Sequence, residues 1–211
     1  MKNSTTPGWL EKVYNSQNDK ELTDIYNGWA EQYDEDLSHF GYRLPTVVIG
    51  LAGRYITSTE FKILDAGAGT GLLGEVLALM GYEDITAIDL SPGMLEVARA
   101  KKAYHILKEM TLGESLDFAD DTFDAVVSSG TFTVGHAPPR SFDELIRITR
   151  PKGHVIFSIR CDGDHGDPFV MMQETLEKEG AWRLVEITDR FQSLPLQEPE
   201  VENQVFVYRV L

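Results

Sequence analysis

Cysteine, long apolar runs and basic residues are all scarce in this sequence. Cys161 is the only cysteine among 211 residues, which excludes a disulfide framework within the chain and a four-cysteine zinc site. No apolar run approaches the about 20 residues that a membrane-spanning helix needs, and Met1–Leu10 lacks the apolar core of a signal peptide. We therefore expect a cytoplasmic protein with no membrane partner.

The balance of charge excludes another class of partner. The chain has 19 Lys and Arg residues against 34 Asp and Glu residues, a net charge of −15 at pH 7. Nucleic-acid binding depends on clustered Lys and Arg side chains, so we expect no nucleic-acid partner. Hydrophobic residues make up 42% of the chain, which is ordinary for a globular protein, and we expect a single domain over residues 1–211.

From residue 61 onward, strand-like and helix-like patterns alternate. This alternation predicts parallel strands joined by helices that cover both faces of the sheet. The predicted strands are Phe61–Ala66, Ile85–Asp89, Leu107–Leu112, Phe123–Ser129 and His154–Arg160. The last two runs, Trp182–Phe191 and Val201–Val210, have no helix between them and predict an antiparallel hairpin. The fold class is thus α/β, with three layers and a mostly parallel sheet.

The first 60 residues have a different pattern from the rest. Helical periodicity extends over Asp19–Leu37 and Arg43–Tyr55. Two such helices are too few to bury a core of their own. We therefore expect residues 1–60 to form a helical cap or lid on a core made of residues 61–211.

A glycine-rich turn follows the first predicted strand. Gly67, Gly69 and Gly71 occupy alternate positions in LDAGAGTG, where they permit positive φ angles and let a ligand approach the backbone. The helix that follows offers unpaired N–H groups to such a ligand. The letters GTGLLG also match G-x-G-x-x-G, and Asp89 follows Gly69 by 20 residues, so a nicotinamide dinucleotide site stays open.

Asp65 favours a different ligand at this turn. Its charge lies two residues before the first glycine, where it would repel a pyrophosphate but attract a cationic amine or sulfonium. The predicted C-terminal hairpin also differs from the further parallel strands of a dinucleotide-binding domain. Both features weaken the nicotinamide interpretation.

These residues resemble those of the class I S-adenosylmethionine (SAM)-dependent methyltransferases, and the resemblance extends over about Ile25–Leu211. LDAGAGTG is similar to the first motif of that family, which places Gly67, Gly69 and Gly71 beneath the methionyl part of SAM. The resemblance implies a Rossmann-like, seven-stranded fold with an antiparallel C-terminal strand. It also implies SAM as the cofactor and S-adenosylhomocysteine (SAH) as the product.

The resemblance assigns the ribose and adenine ends of the cofactor as well. Asp89 in AIDLS resembles the acidic residue that binds both ribose hydroxyls, and Leu90 and Met94 would flank the adenine. Many relatives carry Asp in the next loop for the adenine amino group, whereas this sequence places Thr111 or Leu112 there. Thr111 could accept that hydrogen bond, and the backbone N–H of Leu112 could serve a ring nitrogen.

Two further segments carry the resemblance. LDFADDTFDAVVSS, residues 116–129, is similar to LPFxDxSFDxVxS and leads to Ser129 at the strand tip that faces the transferred methyl. YNGWAEQYD, residues 26–34, resembles a stretch of the Williams–Beuren syndrome region methyltransferase-like proteins, which are related to the ubiquinone/menaquinone-biosynthesis type. In such proteins the tyrosine that matches Tyr33 approaches the SAM carboxylate. The helical spacing of the aromatic residues in this stretch equally suits core packing.

The chemistry of methyl transfer needs few protein groups. Most of the acceleration comes from holding acceptor and methyl about 3 Å apart and aligned, and a general base matters only where the acceptor must lose a proton. His136 follows the loop of the fourth strand, near the expected acceptor, and its ordinary pKa suits proton abstraction. It could instead pack against the helix start at Pro138-Pro139. No spacing of His and Asp matches a metal-ligand pattern, so we expect no metal.

The sequence thus predicts an enzyme that transfers a methyl group from SAM to a small-molecule acceptor. Two alternatives stay open. One is an NAD(P)-dependent oxidoreductase that uses the overlapping G-x-G-x-x-G, and the other is a non-catalytic domain that binds SAM as a sensor or supports a partner subunit. O-, N-, S- and C-methyl acceptors also stay open, as does the oligomeric state.

Overall fold

The computed structural model describes residues 8–133 and 135–211, in which seven helices and eight strands form. The helices are α1 (Trp9–Tyr14), α2 (Asp19–Phe40), α3 (Leu44–Tyr55), α4 (Leu72–Leu79), α5 (Pro92–Ala100), α6 (Ser141–Ile148) and α7 (Asp167–Lys178). The strands are β1 (Ile63–Ala66), β2 (Ile85–Asp89), β3 (Ile106–Glu109), β4 (Phe123–Phe132), β5 (Thr149–Arg160), β6 (Trp182–Ile187), β7 (Phe191–Leu194) and β8 (Glu198–Val210). None of these helices is long and apolar enough to cross a bilayer. The cytoplasmic location stays a prediction.

The strands form one sheet in the order β3-β2-β1-β4-β5-β8-β6, and β7 pairs with β8 beside this path. Neighbouring strands from β3 to β5 are parallel. β8 runs antiparallel to β5, β6 and β7. The predicted α/β fold, with a mostly parallel sheet and an antiparallel C-terminal strand, is confirmed. Seven strands lie on the main path, and β7 is an addition to the expected sheet.

One predicted strand is divided in two. The pattern predicts a single strand over Trp182–Phe191, but β6 ends at Ile187 and β7 begins at Phe191. Between them, the N–H of Thr188 donates to the carbonyl of Val205 at 3.0 Å, and its Oγ1 accepts from the N–H of Val205 at 3.0 Å. β8 is 13 residues long and extends beyond β6, so its remaining length pairs with β7.

The third strand is shorter than predicted. The pattern predicts Leu107–Leu112, whereas β3 spans Ile106–Glu109. The next N–H, that of Met110, donates to the carbonyl of Asp89 at 3.0 Å, and regular pairing then ends. The chain therefore enters its next loop beside the carboxyl end of β2, where ligands of such sheets bind.

Helices cover both faces of the sheet and make three layers. β1 and β2 are buried along their whole length, as in parallel sheets that are packed on both sides. Helices α6 and α7 pack on one face around large side chains, among them Phe132, Phe142, Phe157, Phe169 and Trp182. Helices α3, α4 and α5 pack on the other face, where Val48, Leu77 and Leu95 are buried.

The order of the strands opens a crevice at one edge of the sheet. β1 lies between β2 and β4, so the direction in which successive strands are added reverses at β1. Ligands of open α/β sheets bind at such a point because the helices after the two strands leave on opposite faces. Ala66 and Ile88 are opposite each other on β1 and β2. The glycine turn after Ala66 and the side chain of Asp89 therefore meet at the crevice.

The N-terminal helices α2 and α3 cover the predicted ranges Asp19–Leu37 and Arg43–Tyr55 to within a few residues. α2 begins after Asn18, whose side chain accepts a hydrogen bond from the first turn, and ends at Phe40, just before Gly41 with a φ of +73°. Its apolar face forms a separate cluster with residues of α1 and β7. That these helices act as a lid, and that residues 1–211 form one domain, stay predictions.

Candidate active site

The glycine turn after β1 is held by backbone hydrogen bonds. The N–H groups of Gly67 and Ala68 both donate to the carbonyl of Ile88 on β2, at 2.9 and 3.0 Å. Gly67, Gly69 and Gly71 have φ angles of +75°, +55° and +86°, a region that glycine enters without steric cost. The turn thus brings several backbone N–H groups to the end of β2.

A cavity of about 270 Å³ lies beside this turn, at the carboxyl edge of the sheet. Its size is near the lower end of the range for small-molecule sites, about 300–1,000 Å³. Ten of the predicted site residues line it: Tyr33, Gly67, Gly69, Asp89, Leu90, Met94, Thr111, Leu112, Ser129 and His136. The set includes both residues considered for the adenine contact. Asp65 and Gly71 do not line this cavity.

Sequence reasoning missed other residues of the cavity wall. They are Asp19, Leu22, Tyr26, Met110, Gly130, Thr131, Ala137, Pro138 and Arg140. The residues from α2 could have been found from helical spacing, because Tyr26 lies seven positions before Tyr33 and thus on the same face. Gly130 and Thr131 lie in β4 beyond its predicted end at Ser129. The others follow β3 and β4 in irregular segments, where no periodicity indicates which side chains face the crevice.

The three glycines of the turn meet different surroundings. A Cβ atom at Gly67 would collide with the side chain of Thr131. A Cβ atom at Gly69 would meet no atom within 4 Å, because this position faces the open cavity. A Cβ atom at Gly71 would lie 2.9 Å from Cε2 of Tyr104. Gly69 therefore leaves its backbone open to a ligand, whereas Gly67 and Gly71 make room for the side chains of Thr131 and Tyr104.

The carboxylate of Asp89 is fixed by backbone N–H groups. Oδ2 accepts from the N–H of Gly69 at 2.8 Å, and Oδ1 accepts from the N–H of Ser91 at 2.9 Å. Burial raises the pKa of Asp89, and hydrogen bonds from the backbone of Ser91, Gly69 and Leu90 oppose that rise. A carboxylate has about four lone-pair positions, so each oxygen can accept a further hydrogen bond from the cavity.

Asp65 lies behind the turn in a smaller cavity of about 30 Å³. Its side chain is fully buried, and Oδ2 accepts a hydrogen bond from the hydroxyl of Tyr104 at 2.6 Å. Burial raises the pKa of Asp65 to about 7. The smaller cavity shares Tyr33, Gly67 and Gly69 with the larger one, so Asp65 lies one layer behind the glycine turn.

His136 lies in the loop after β4 and contacts helix α2. Its Nε2 is 2.8 Å from the hydroxyl of Tyr26. Burial raises the pKa of Tyr26 well above its ordinary value, so the phenol keeps its proton and shares a hydrogen bond with Nε2. The backbone N–H of His136 donates to the carbonyl of Thr133 at 3.1 Å. Two tethers, one to the backbone and one to α2, thus hold the imidazole at the cavity wall.

A second cavity of about 80 Å³ adjoins the first. The two cavities share Tyr26, Tyr33, Gly130 and His136. The second is lined mostly by apolar and aromatic side chains, which include Leu10, Val13, Trp29, Leu37, Tyr42, Leu44, Phe132, Leu194 and Val201. Arg160 also lines it, but its guanidinium binds Asp162 at 2.8 Å, so this charge already has a partner.

Two kinds of comparison with known proteins agree with this geometry. A family model described as a methyltransferase domain matches residues 64–157. Methyltransferase-like protein 27 of Homo sapiens is 33% identical over 164 residues, and demethylmenaquinone methyltransferase of Clavibacter sepedonicus is 38% identical over 97 residues. The chain belongs to the class I SAM-dependent methyltransferases. The narrower resemblance to the Williams–Beuren group stays a prediction.

The relatives of this methyltransferase are longer than the part that aligns. The match covers 75% of this chain and 66% of the human protein, and 45% of this chain and 39% of the Clavibacter protein. Solved structures agree over more of the chain. A SAM-dependent methyltransferase from Thermotoga maritima has a TM-score of 0.64 at 16% identity, covering 89% of this chain and 99% of that one.

Similarity of fold alone does not identify the reaction of this methyltransferase. The [4+2]-cyclase SpnF has a TM-score of 0.71 at 14% identity and covers 92% of this chain and 97% of its own. A protein described as a cyclase thus has the same fold. The reaction must therefore be argued from the residues of the site. The nicotinamide alternative finds no support in any of these matches.

The residues of the methyltransferase cavity fit SAM. The carboxylate of Asp89 offers acceptor positions to a pair of hydroxyl groups, and the open space above Gly69 lets a ligand contact the backbone. Asp65 lies behind this cavity, and its Oδ1 has no hydrogen-bond partner among the described residues, so its negative charge suits a nearby ligand that carries positive charge. Among those same residues, no group of His, Cys, Asp and Glu side chains could hold a metal ion.

Helix α2 of this methyltransferase is bound to both sides of the cavity. The side-chain oxygen of Asn27 accepts from the N–H of Gly93 and from the hydroxyl of Ser91, both at 2.8 Å. Asp34 accepts a hydrogen bond from Thr70 in the glycine turn and binds Nζ of Lys101 at 2.6 Å. These contacts hold the neighbouring residues Tyr26 and Tyr33 against the cavity.

Proposed function

We propose that this protein transfers a methyl group from SAM to a small-molecule acceptor. The observation that carries the proposal is the buried carboxylate of Asp89, tied to the N–H of Gly69 at 2.8 Å on the wall of the main cavity. This pairing joins the two features that a ribose-bearing cofactor needs, an acceptor for its hydroxyls and an open glycine turn. Membership of the methyltransferase family supports it.

The proposed roles of the other residues follow their positions. Asp89 accepts hydrogen bonds from the ribose hydroxyls, and the turn at Gly67 and Gly69 lies beneath the methionyl part. The remaining assignments are Leu90 and Met94 beside the adenine, Thr111 or Leu112 at its edge, Tyr33 at the carboxylate and Ser129 near the methyl. Asp65 acts from behind the turn as the negative partner of the cationic groups. Gly71 contributes through the conformation of the turn.

When bound, SAM supplies a methyl group on a good leaving group. The residues of this chain then need to orient the two reactants and exclude water, since alignment supplies most of the acceleration. We assign to His136 the role of proton acceptor for an acceptor molecule that must lose a proton. Tyr26 holds the imidazole ring by the 2.8 Å hydrogen bond between its hydroxyl and Nε2, and its oxygen can accept a hydrogen bond from the protonated ring.

The acceptor is proposed to enter from the second cavity. The two cavities have four wall residues in common: Tyr26, Tyr33, Gly130 and His136. A molecule in the smaller cavity would therefore lie next to the proposed methyl position. The lining is apolar and aromatic, and the charge of Arg160 is already paired with Asp162. A compact, largely apolar acceptor without a strong negative charge suits this lining. The names of the relatives specify the methyl acceptors of those proteins and do not identify the acceptor of this one.

Calorimetric titration of the purified protein with SAM and with SAH tests the proposal. We expect one-to-one binding of both, because they share the ribose, adenine and amino acid parts that the cavity contacts. NADH and NADPH serve as matched controls, since they also carry ribose and adenine but present a pyrophosphate to Asp65. A folded protein that gives no heat with SAM or SAH contradicts the proposal, and binding of NADH instead would restore the nicotinamide alternative.

A second measurement separates an enzyme from a non-catalytic SAM-binding domain. The protein is incubated with methyl-labelled SAM and pooled small molecules from a cell extract, and labelled products are separated by chromatography. We expect a labelled small molecule that is lost in His136→Ala or Asp89→Ala protein. Binding of SAM without any labelled product from such pools favours the sensor alternative.

A further inference from the structure

Tyr104, in the loop between α5 and β3, connects Asp65 to the first turn of α4. Tyr104 is 9% exposed, and its hydroxyl donates to Oδ2 of Asp65 at 2.6 Å. The same hydroxyl accepts a hydrogen bond from the N–H of Gly74 at 3.2 Å. One phenol oxygen thus spans the end of β1 and the beginning of the helix, on the two sides of the glycine turn.

Two glycines make room for this ring. A Cβ atom at Gly74 would overlap the ring and hydroxyl of Tyr104, and one at Gly71 would lie 2.9 Å from Cε2. Gly74 is the third glycine of the G-x-G-x-x-G pattern, and a glycine inside a helix costs about 1 kcal/mol of helix stability relative to alanine. Its presence in this chain is explained by the ring of Tyr104 rather than by a dinucleotide.

The surroundings of Asp65 make this one hydrogen bond important. Within residues 8–133 and 135–211, no Lys, Arg or His forms an ion pair with Asp65, and Oδ1 has no hydrogen-bond partner. The nearby charge of Asp89 raises the pKa of Asp65 further, while Tyr104 and the N–H of Gly74 lower it. Tyr33 and Tyr42 line the small cavity together with Asp65.

The nearby lysine, Lys101, does not form an ion pair with Asp65. Lys101 lies in the same loop as Tyr104, but its Nζ binds Asp34 of α2 at 2.6 Å and Glu75 of α4 at 3.5 Å. Tyr104 is therefore the side chain that opposes the desolvation of Asp65. Its own pKa is raised by burial and by the charge of Asp65, so the phenol keeps its proton and remains a donor.

We infer that Tyr104 is a positioning residue for the cofactor: its hydroxyl fixes the carboxylate of Asp65 and the start of α4 in one arrangement and keeps Asp65 available as an anion. The inference rests on the proposed function, because it takes the cationic partner of Asp65 to be the amino group of the cofactor. Tyr104 acts through Asp65 and the turn, and it lines neither the main cavity nor the second one.

The dependence of SAH affinity on pH tests this inference. SAH keeps the amino group and is titrated by calorimetry into wild-type and Tyr104→Phe protein between about pH 6 and about pH 9. Loss of the donor raises the pKa of Asp65, so the variant needs a higher pH to ionise it. We expect the dissociation constant to rise about tenfold relative to wild type near pH 6, and the ratio to fall towards one near pH 9. The amino group of SAH titrates equally in both experiments, so its effect on the dissociation constant cancels in the ratio.

Tyr82→Phe is a matched control. Tyr82 is 7% exposed, lies in the same apolar cluster as Tyr104, and donates its hydroxyl to the carbonyl of Ile56 at 2.6 Å. The control loses a buried hydrogen bond of similar kind without touching Asp65. We expect its ratio to wild type to stay near one at every pH. A ratio for Tyr104→Phe that is constant across pH would show a purely structural role and overturn the inference.

A second variant covers the case in which Tyr104→Phe does not fold. Asp65→Asn keeps the shape of the side chain but cannot ionise, so its SAH affinity should lack the rise near pH 7 that we expect for wild type. An Asp65→Asn protein that keeps the wild-type rise overturns the inference. Wild-type protein that binds no SAH overturns the proposed function as well, whereas normal wild-type binding with unchanged variants overturns the inference alone.

Discussion

Two buried carboxylates lie at the ends of adjacent strands in this methyltransferase, and they are held in different ways. Asp89, at the end of β2, receives backbone N–H groups from Gly69 and Ser91. Asp65, on β1, receives a side-chain hydroxyl from Tyr104, 39 residues away. Backbone donors come with the turn itself, whereas a side-chain donor depends on how a distant loop packs. The first carboxylate faces the main cavity and the second supports it from behind.

The largest expected effect is at Asp89. In Asp89→Ala protein, the two ribose hydroxyls lose a charged acceptor and the N–H of Gly69 loses its partner. Charge-assisted hydrogen bonds contribute about 1.5–3 kcal/mol each, so we expect SAM and SAH affinity to fall by at least about 100-fold. Calorimetric titration with SAM and SAH measures this loss of affinity.

Asp84→Ala is the control for this change. Asp84 lies just before β2, at the opposite end of the same strand, with its side chain 39% exposed. We expect its SAM affinity to match wild type within about twofold, because surface substitutions away from a site change little. Affinity of Asp89→Ala within that same margin would remove Asp89 from the cofactor site.

The two carboxylates also differ in whether their hydrogen-bond partners could be predicted from the sequence. Gly69 and Asp89 are 20 residues apart within one strand–turn–helix–strand unit, and this spacing predicted that they would share a site. The pairing of Asp65 with Tyr104 has no such spacing rule, since Tyr104 lies in a loop without periodicity. Its one signal is Gly74, a glycine within α4 that indicates close approach by another group.

The helices and strands likewise include some that the sequence predicts and some that it does not. Strands β1, β2, β4 and β5 follow strong patterns and form where the sequence predicts them, although β4 extends to Phe132 and β5 begins at Thr149, five residues before the predicted His154. The six-residue helix α1 was not predicted, because its N-cap is Gly8, which provides no side-chain cap, and a short helix has little periodicity. The division of Trp182–Phe191 depends on the length of β8, which is a property of its partner strand.

The second-largest expected effect arises at Asp65, and it concerns how the free energy of unfolding depends on pH. Its pKa in the folded protein is about 7, against an ordinary value of 3.8. Between these values the unfolded chain releases the proton and the folded chain keeps it, so the free energy of unfolding falls as pH rises from about 4 to about 7. Asp65→Asn does not titrate. We expect it to gain about 2 kcal/mol relative to wild type between about pH 5 and about pH 7.

Urea unfolding at several pH values measures this difference. Asp84→Asn serves as the control, because it makes the same chemical change at a partly exposed position at the other end of β2. Asp89→Asn sharpens the comparison: three backbone N–H groups oppose the desolvation of Asp89, so we expect a smaller gain than at Asp65. Equal gains at the two positions would show that backbone and side-chain donors hold these carboxylates equally well.

The smallest expected effect is at Gly69, the donor to Asp89. Gly69→Ala places a methyl group in the open cavity and forces a non-glycine residue to a φ of +55°. Gly81→Ala is the matched control, since Gly81 follows α4 with a φ of +92° and a Cβ atom there would lie 3.6 Å from Thr59, outside the cavity. Strain of about 1 kcal/mol should lower the stability of both variants.

SAM binding should distinguish the two alanine variants. We expect affinity to fall about tenfold in Gly69→Ala, because the methyl group occupies space beneath the cofactor, and to stay within about twofold of wild type in Gly81→Ala. Thermal unfolding and calorimetric titration on the same samples separate strain from lost binding. If the two variants lose equal stability and both keep wild-type affinity, the cofactor does not approach the backbone at Gly69, and the contact with Asp89 alone would have to position it.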